Sequence, residues 1–393
     1  MELGCRTITD TNGFAGLTDA WSRLAQSAVE SNPFYGPSFL LPLLEECGWP
    51  AGLEIWLIAP RSDPSQIVGL FPFHRRRFGP GNALHVIAPF TRGRHGAREI
   101  DIDLGLPLID GACVDAVLDA LLNRLNKIFW PPTAIEWFGV PGDGAFFRAL
   151  QARLIAQGQP TLNLGGWERA LFRPAADPAK FLADVVSKRR SKDLAQSRRQ
   201  IERSGGPLSF EVLAHDADPL PWITAYVGME AGGWKGTEGT DIGATPGGLR
   251  FFTRSLTEMH AAGLAVAYQL SAGGIPIAQT WLLTGADRNV AMAWKMAYDD
   301  TYRKMSPGLL MQIDALGMLH ARAASLREID SCAAPNHPMW SWFWPARRQL
   351  QHLIVAPRGP LNALLVRIAV SVRSWRQRNA AARAGAQEQG HET

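Results

Sequence analysis

Residues 291–311 read AMAWKMAYDDTYRKMSPGLLM, and the fold expected of the chain turns on this stretch. Over 289–298 it alternates as a strand. Val290, Met292, Trp294 and Met296 take one face, and Ala291, Ala293, Lys295 and Ala297 the other. A face of small residues leaves room for a close neighbour, either a packed helix or a narrow ligand arm. Lys295 fits poorly in an apolar core and is suited to neutralising a phosphate or carboxylate. Past the strand, Arg303 and Lys304 form a basic loop before Ser306-Pro307-Gly308. Ser306 reads as an N-cap and Pro307 as the first helical residue. Free amides at such a helix start, helped by the helix dipole, can hold a phosphate.

Working outward, the second half begins with a basic helix over 179–204, closed by Gly205-Gly206-Pro207. Strands are expected at 208–213, 264–270, 275–284 and 289–298, and helices at 219–230, 249–262 and 307–323. A last strand is expected at 327–331. The short connections among three of these strands indicate antiparallel pairing. The first half alternates helices (12–29, 37–47, 112–129, 144–157) with strands (53–59, 66–78, 83–88, 99–108, 133–140). Mixed order of this kind gives a layered α/β fold. The stretch RPAADP near 172–178 reads as a joint between two domains.

The chain has 393 residues, long enough for two domains at roughly 150 residues each. Hydrophobic residues are 46% and charged residues 19%, a globular composition. Net charge is +4, too small to imply nucleic acid by itself. Cys5, Cys47, Cys113 and Cys332 form no CxxC pair, so neither a metal site nor a disulfide framework is expected. No signal peptide or membrane-spanning run is read, and a cytoplasmic location is expected.

Several further residues invite a chemical reading. Asp330, at the end of a strand, could accept a proton from an attacking amine, and Asp299 and Asp300 compete for that role. It could equally cap the next segment or hold Arg327 or His337. Cys332 lacks a Cys-His-Asn setting and reads as packing. His337 lies in APNHP, lining a turn or a site. Trp234-Lys235-Gly236 sits in a glycine-rich loop where a Trp could cover an acceptor or anchor the loop. Arg189, Arg190, Lys192, Arg198, Arg199 and Arg203 share one helix, either a solvated face or a contact for phosphates. Trp340, Trp342 and Trp344 are mostly core, with one able to line a pocket. Leu361, Leu364, Leu365, Ile368, Val372 and Trp375 mark a basic amphipathic helix. It either covers the domain or lies on an anionic membrane surface. Residues after Ala384 read as a disordered tail.

Four stretches together carry a resemblance: SKRRSKDLAQSRRQIERSGGPLSFEVL (187–213), GGWKGTEGT (232–240), the 291–311 stretch, and IDSCAAPNHPMWSWFW (329–344). In this order the chain resembles bacterial GNAT proteins grouped with a cellulose-biosynthesis acetyltransferase (CelD/BcsL-like), related to the Fem aminoacyltransferases. The resemblance implies tandem GNAT-like folds: a degenerate domain over 1–172, an acyltransferase domain over 178–356, and a basic helix and tail over 357–393. It implies acyl-CoA as co-substrate and no metal, with the donor in a V-shaped opening beside the strand 289–298. Lys295, Arg303, Lys304, Ser306, Pro307 and Gly308 would hold the donor. Asp330, Asp299, Tyr298 and Tyr302 would carry proton transfer. Trp234, Lys235, Gly236, Arg190, His337 and Trp344 would meet the acceptor, an amine or hydroxyl of a carbohydrate or cell-envelope precursor. The phosphate loop departs from the usual GNAT pattern, reading Arg303-Lys304-Met305-Ser306-Pro307-Gly308. Aminoacyl-tRNA is therefore the alternative donor, and a non-catalytic part in an exopolysaccharide complex is the third reading. DNA is not expected as a partner.

Overall fold

A computed structural model describes residues 2–78, 84–91, 100, 102–128, 133–175, 177–322 and 326–359, with 362, 364, 367, 368 and 371 beyond. The expected tail, and most of the helix before it, lie outside these residues. The first half runs β1 (Leu3–Ile8), α1 (Thr18–Ser27), α2 (Pro37–Glu46), β2 (Leu53–Pro60), β3 (Gly69–Phe78) and β4 (Leu84–Pro89). It continues with β5 (Leu108–Ile109), α3 (Val114–Asn126), β6 (Thr133–Pro141), α4 (Ala145–Ala156) and β7 (Thr161–Phe172). Two helices follow, α5 (Pro178–Val185) and α6 (Lys188–Gly205). The second half then runs β8 (Leu208–Val212), α7 (Leu220–Gly232), α8 (Trp234–Glu238), α9 (Gly248–Ala261), β9 (Ala265–Ala272) and β10 (Ile275–Thr284). It ends with β11 (Val290–Tyr298), α10 (Pro307–Ala321), β12 (Glu328–Asp330), α11 (Trp340–Phe343) and β13 (Ala346–Val355).

These strands form one mixed, mostly antiparallel sheet in the order β1-β2-β3-β4-β6-β13-β7-β12-β11-β10-β9-β8. The order is palindromic if each strand of one half is exchanged for its counterpart in the other. β4 and β6 are parallel over three pairs, from His85↔Thr133 to Ile87↔Ile135. β11 and β12 are likewise parallel over three pairs, from Val290↔Glu328 to Met292↔Asp330. The last strand of each half crosses over: β13 pairs with β6, and β7 with β12. The two crossed strands pair with each other in the middle. The α/β layers expected from the sequence are present, in two copies that share one sheet.

One expected helix is two. The run 179–204 breaks at Val186, which is extended, and Ser187 starts α6 by accepting a hydrogen bond from the Arg190 amide at 3.3 Å. A serine side chain there satisfies a helix-start donor, so the chain can bend without losing it. The glycine-rich loop expected at 232–248 also contains the short helix α8.

The alternation expected along β11 also changes midway. The register with β10 shifts between Trp281 and Leu282, which face Lys295 and Ala293, leaving Trp294 as an extra residue. A bulge of this kind reverses which residues face each side. Met292, Trp294 and Ala297 therefore join the core under α7, α9 and α2. Ala291, Ala293, Met296 and Tyr298 lie against the core under α10. Met296 was expected on the Trp294 face and lies on the other.

Candidate functional site

β11 and β12 part after Met292↔Asp330, and β11 continues to Tyr298. The parted ends open beside the start of α10. Gly308 lies over this part of β11, where an added Cβ would sit 3.4 Å from Met296 Sδ. Ser306 holds the helix start in a left-handed conformation with φ 52°, and its side chain makes no capping bond. Only its carbonyl serves the first turn, accepting from Leu309 and Leu310 at 3.0 and 3.1 Å. The first turn therefore has no side-chain cap, and Pro307 and Gly308 are buried against the sheet. Arg303 and Lys304 are exposed on the 3-10 turn Asp300–Met305 just before it.

At the end of β11, toward α7 and α8, lies a cleft lined by Met229, Gly233, Trp234, Lys235, Tyr298 and Asp300, among others. Its floor is organised by Glu230, 4% exposed on α7. Glu230 Oε1 accepts from Lys235 Nζ at 2.7 Å and from the Tyr226 hydroxyl at 3.1 Å. Oε2 accepts from the Ile242 amide at 2.9 Å. Burial alone would push this carboxyl's pKa up, but the charges of Lys295 and Lys235 and the bonds from Lys235 and Ile242 hold it below the usual range. Glu230 thus stays ionised and ties α7, α8 and the turn at Ile242 together, beside Lys295 on β11. Gly236 is required at the α7–α8 elbow, since a Cβ there would collide with the Ala231 carbonyl. Trp234 stands at the mouth, 50% exposed.

The sequence-derived residues are dispersed over several places. Trp234, Lys235 and Tyr298 meet in this cleft, with Lys295 behind it. Asp299 lies at the end of β11, where its carboxylate accepts from the Thr301 amide at 2.9 Å. Tyr302 turns to α6, its hydroxyl closing on Gly205. Arg190, His337 and Trp344 lie elsewhere, around α11. The Arg190 guanidinium stacks 3.7 Å over the Trp342 ring. Trp344 is fully buried, its ring 4.1 Å from Trp340. His337 Nδ1 accepts from the Met339 and Trp340 amides at 3.3 and 3.4 Å, and burial lowers its pKa.

Asp330 has a different setting from the sheet mouth expected of it. It is 0% exposed and lies 2.6 Å from Arg169 Nε and 3.2 Å from Arg348. Its Oδ1 also accepts from the Cys332 amide at 2.9 Å. Arg169 belongs to β7 and Arg348 to β13, so Asp330 joins the two crossed strands. Glu230 was not singled out from the sequence. The available signal was an acidic residue in the apolar run YVGME, immediately before GGWKG.

Among known proteins, a family model described as an acetyltransferase (GNAT) domain matches residues 187–337. No curated protein matches the chain. The solved structure of FemX is 11% identical, covers 93% of this chain and 99% of its own, and has a TM-score of 0.50. L-PGS from Bacillus licheniformis is 13% identical, with coverage of 83% and 95% and a TM-score of 0.46. A tandem GNAT protein from the clavulanic acid biosynthesis pathway is 15% identical, with coverage of 91% and 100% and a TM-score of 0.41. At these identities the FemX likeness concerns the fold alone. Residues 187–337 thus match a GNAT acetyltransferase domain. Among the described residues, no helix is long and apolar enough to cross a membrane.

Proposed function

We propose that the protein transfers an acyl group, acetyl in the simplest case, from acyl-CoA to an amine. The donor would lie in the wedge between β11 and β12, and the acceptor would enter through the cleft beneath Trp234. The parting of β11 and β12 next to the uncapped start of α10 carries this reading. The residues present suit such a donor. Ala291 and Ala293 keep the α10 side of β11 narrow, while Gly308 keeps the helix start close to the strand. Arg303 and Lys304 add cationic charge for phosphate, and the Gly308 amide and the helix dipole favour an anion there, since Pro307 has no N–H and the Leu309 and Leu310 amides bond to the Ser306 carbonyl.

A thioester supplies an activated acyl carbon with a thiolate leaving group. The C–N bond forms at that carbon and the C–S bond breaks. Backbone N–H groups of β11 near 295–297 would polarise the carbonyl. Asp300, in the cleft, would take the proton from the acceptor nitrogen, with Asp299 next to it. Tyr298 would return a proton to the sulfur. Asp330 is left out of this relay, because two arginines and a backbone amide already engage its carboxylate.

A melting-temperature and mass-spectrometry screen with acetyl-CoA, longer acyl-CoAs and charged tRNA tests the reading. A rise with acyl-CoA and a mass gain on an amine acceptor are expected. Unchanged melting with every acyl-CoA would overturn it. A salt-sensitive response to charged tRNA alone would assign the donor to aminoacyl-tRNA, the chemistry of Fem aminoacyltransferases.

A further inference from the structure

A cavity of about 470 Å³ lies at the seam of the two halves, within the range of about 300–1,000 Å³ usual for small-molecule sites. It sits at the N-terminal ends of β11 and β12, where Val290 pairs with Glu328. The proposed donor wedge opens at the other ends of these strands, so the cavity is a separate place. The first half contributes two acids and one base to its lining, Glu30, Asp143 and Arg148. The second half contributes three bases, Arg173, Arg327 and Arg348, against Glu328 and Asp287. The two walls therefore differ in sign, negative from the first half and positive from the second.

Neither wall is saturated by its own partners. Glu30 Oε2 accepts from the Phe146 amide at 2.6 Å, in the first turn of α4. Gly144 leaves room for this, because a Cβ there would collide with both carboxylate oxygens. Among the described residues, Glu30 Oε1 accepts no hydrogen bond, and the buried hydroxyl of Ser31, also in the lining, has no partner. Burial raises the Glu30 pKa, a cost that an ammonium at Oε1 would offset. Across the seam, Arg348 is 6% exposed and is committed to Glu328 and Asp330. Arg173 and Arg327 approach Glu328 only at 3.6 and 3.5 Å, and most of each side chain is exposed. Their guanidinium groups are free to turn to a carboxylate in the cavity.

We propose that this cavity binds a small zwitterion with its ammonium and carboxylate at opposite ends, a dipeptide or an ω-amino acid. The ammonium meets Glu30 and Ser31, and the carboxylate meets Arg173 and Arg327. A diamine would bring its second charge against the arginines. A dicarboxylate would bring one of its own beside Glu30. Only a ligand with one charge of each sign satisfies both walls.

Calorimetric titration of the full chain with glycylglycine and γ-aminobutyrate tests this inference, with cadaverine and glutarate as the singly signed controls. The wild type should bind at least one of the two zwitterions at least tenfold more tightly than either control. The tighter of the two identifies the source, peptide or ω-amino acid. Arg327→Gln, at an exposed position, should weaken the zwitterion at least fivefold and shrink its preference over cadaverine, which lacks the carboxylate. Glu30→Gln keeps an acceptor for the Phe146 amide and should shrink the preference over glutarate, which lacks the ammonium. If Glu30→Gln does not fold, Arg327→Gln decides alone. No binding of either zwitterion, binding no tighter than that of a control, or an unchanged affinity in Arg327→Gln would overturn the proposal.

Discussion

Asp330 and Glu230 are both buried carboxylates in the GNAT domain, and their partners give them different work. Asp330 is held by arginines from two crossed strands, so its charge matters to the sheet. Removing one partner of a buried ion pair leaves the others uncompensated, at a cost of about 3–5 kcal/mol. Asp330→Asn is therefore expected to lower the denaturation midpoint strongly, while the folded fraction keeps its acetyl-CoA affinity. Unchanged stability with lost turnover would return Asp330 to the role of base. The sequence placed Asp330 correctly at a strand end. It gave no sign of Arg169 and Arg348, which are 161 and 18 residues away along the chain. Glu230 was hidden for a related reason. An acid in an apolar helix reads as solvent-facing until Lys235, Ile242 and Lys295 are brought around it.

Elements with local signals were the most legible. Pro307 and Gly308 marked the start of α10, and the strands β9, β10 and β11 fell close to their expected bounds. The bulge at Trp294 was not legible, because period-2 alternation carries no mark of an inserted residue. α11 shows a similar limit, since its start depends on a side chain accepting backbone amides. His337 does this through Nδ1, which requires the neutral ring. Burial lowers its pKa below the ordinary 6.5, so this stabilisation is present above that value and is lost as pH falls through the folded-state pKa. Hydrogen exchange of residues 340–343, corrected for its intrinsic pH dependence, should show protection falling on acidification below the ordinary histidine value of 6.5. His337→Asn, with a non-titrating acceptor, should flatten that change. Protection independent of pH in the wild type would contradict this account of α11.

At the scale of the molecule, the crossing of β7 and β13 joins the two halves into one sheet. The joint near 172–178 lies between β7 and α5, but β7 itself lies beside β12 and β13 of the second half. Such pairing across distant strands leaves no periodic trace in either strand. β13 was not among the strands expected from the sequence. A fragment of residues 178–359 lacks β7 and is expected to show no cooperative melting. Co-expression with residues 2–172 should restore it. A stable, acetyl-CoA-binding fragment of 178–359 alone would contradict this dependence. Only the second half has a short connection after its parallel strand: β11 reaches α10 in 8 residues, 299–306, whereas β4 reaches α3 through 24, 90–113. The central claim is that the wedge of β11 and the start of α10 hold acyl-CoA. Calorimetric titration of acetyl-CoA into the wild type and Gly308→Val tests it most directly. The Cβ itself meets ordinary contact at Met296, but the branched methyls extend into the proposed path of the donor. The account predicts binding by the wild type and at least a tenfold weaker affinity in Gly308→Val at unchanged melting temperature. Equal affinity in both proteins, or no binding by the wild type, would contradict it.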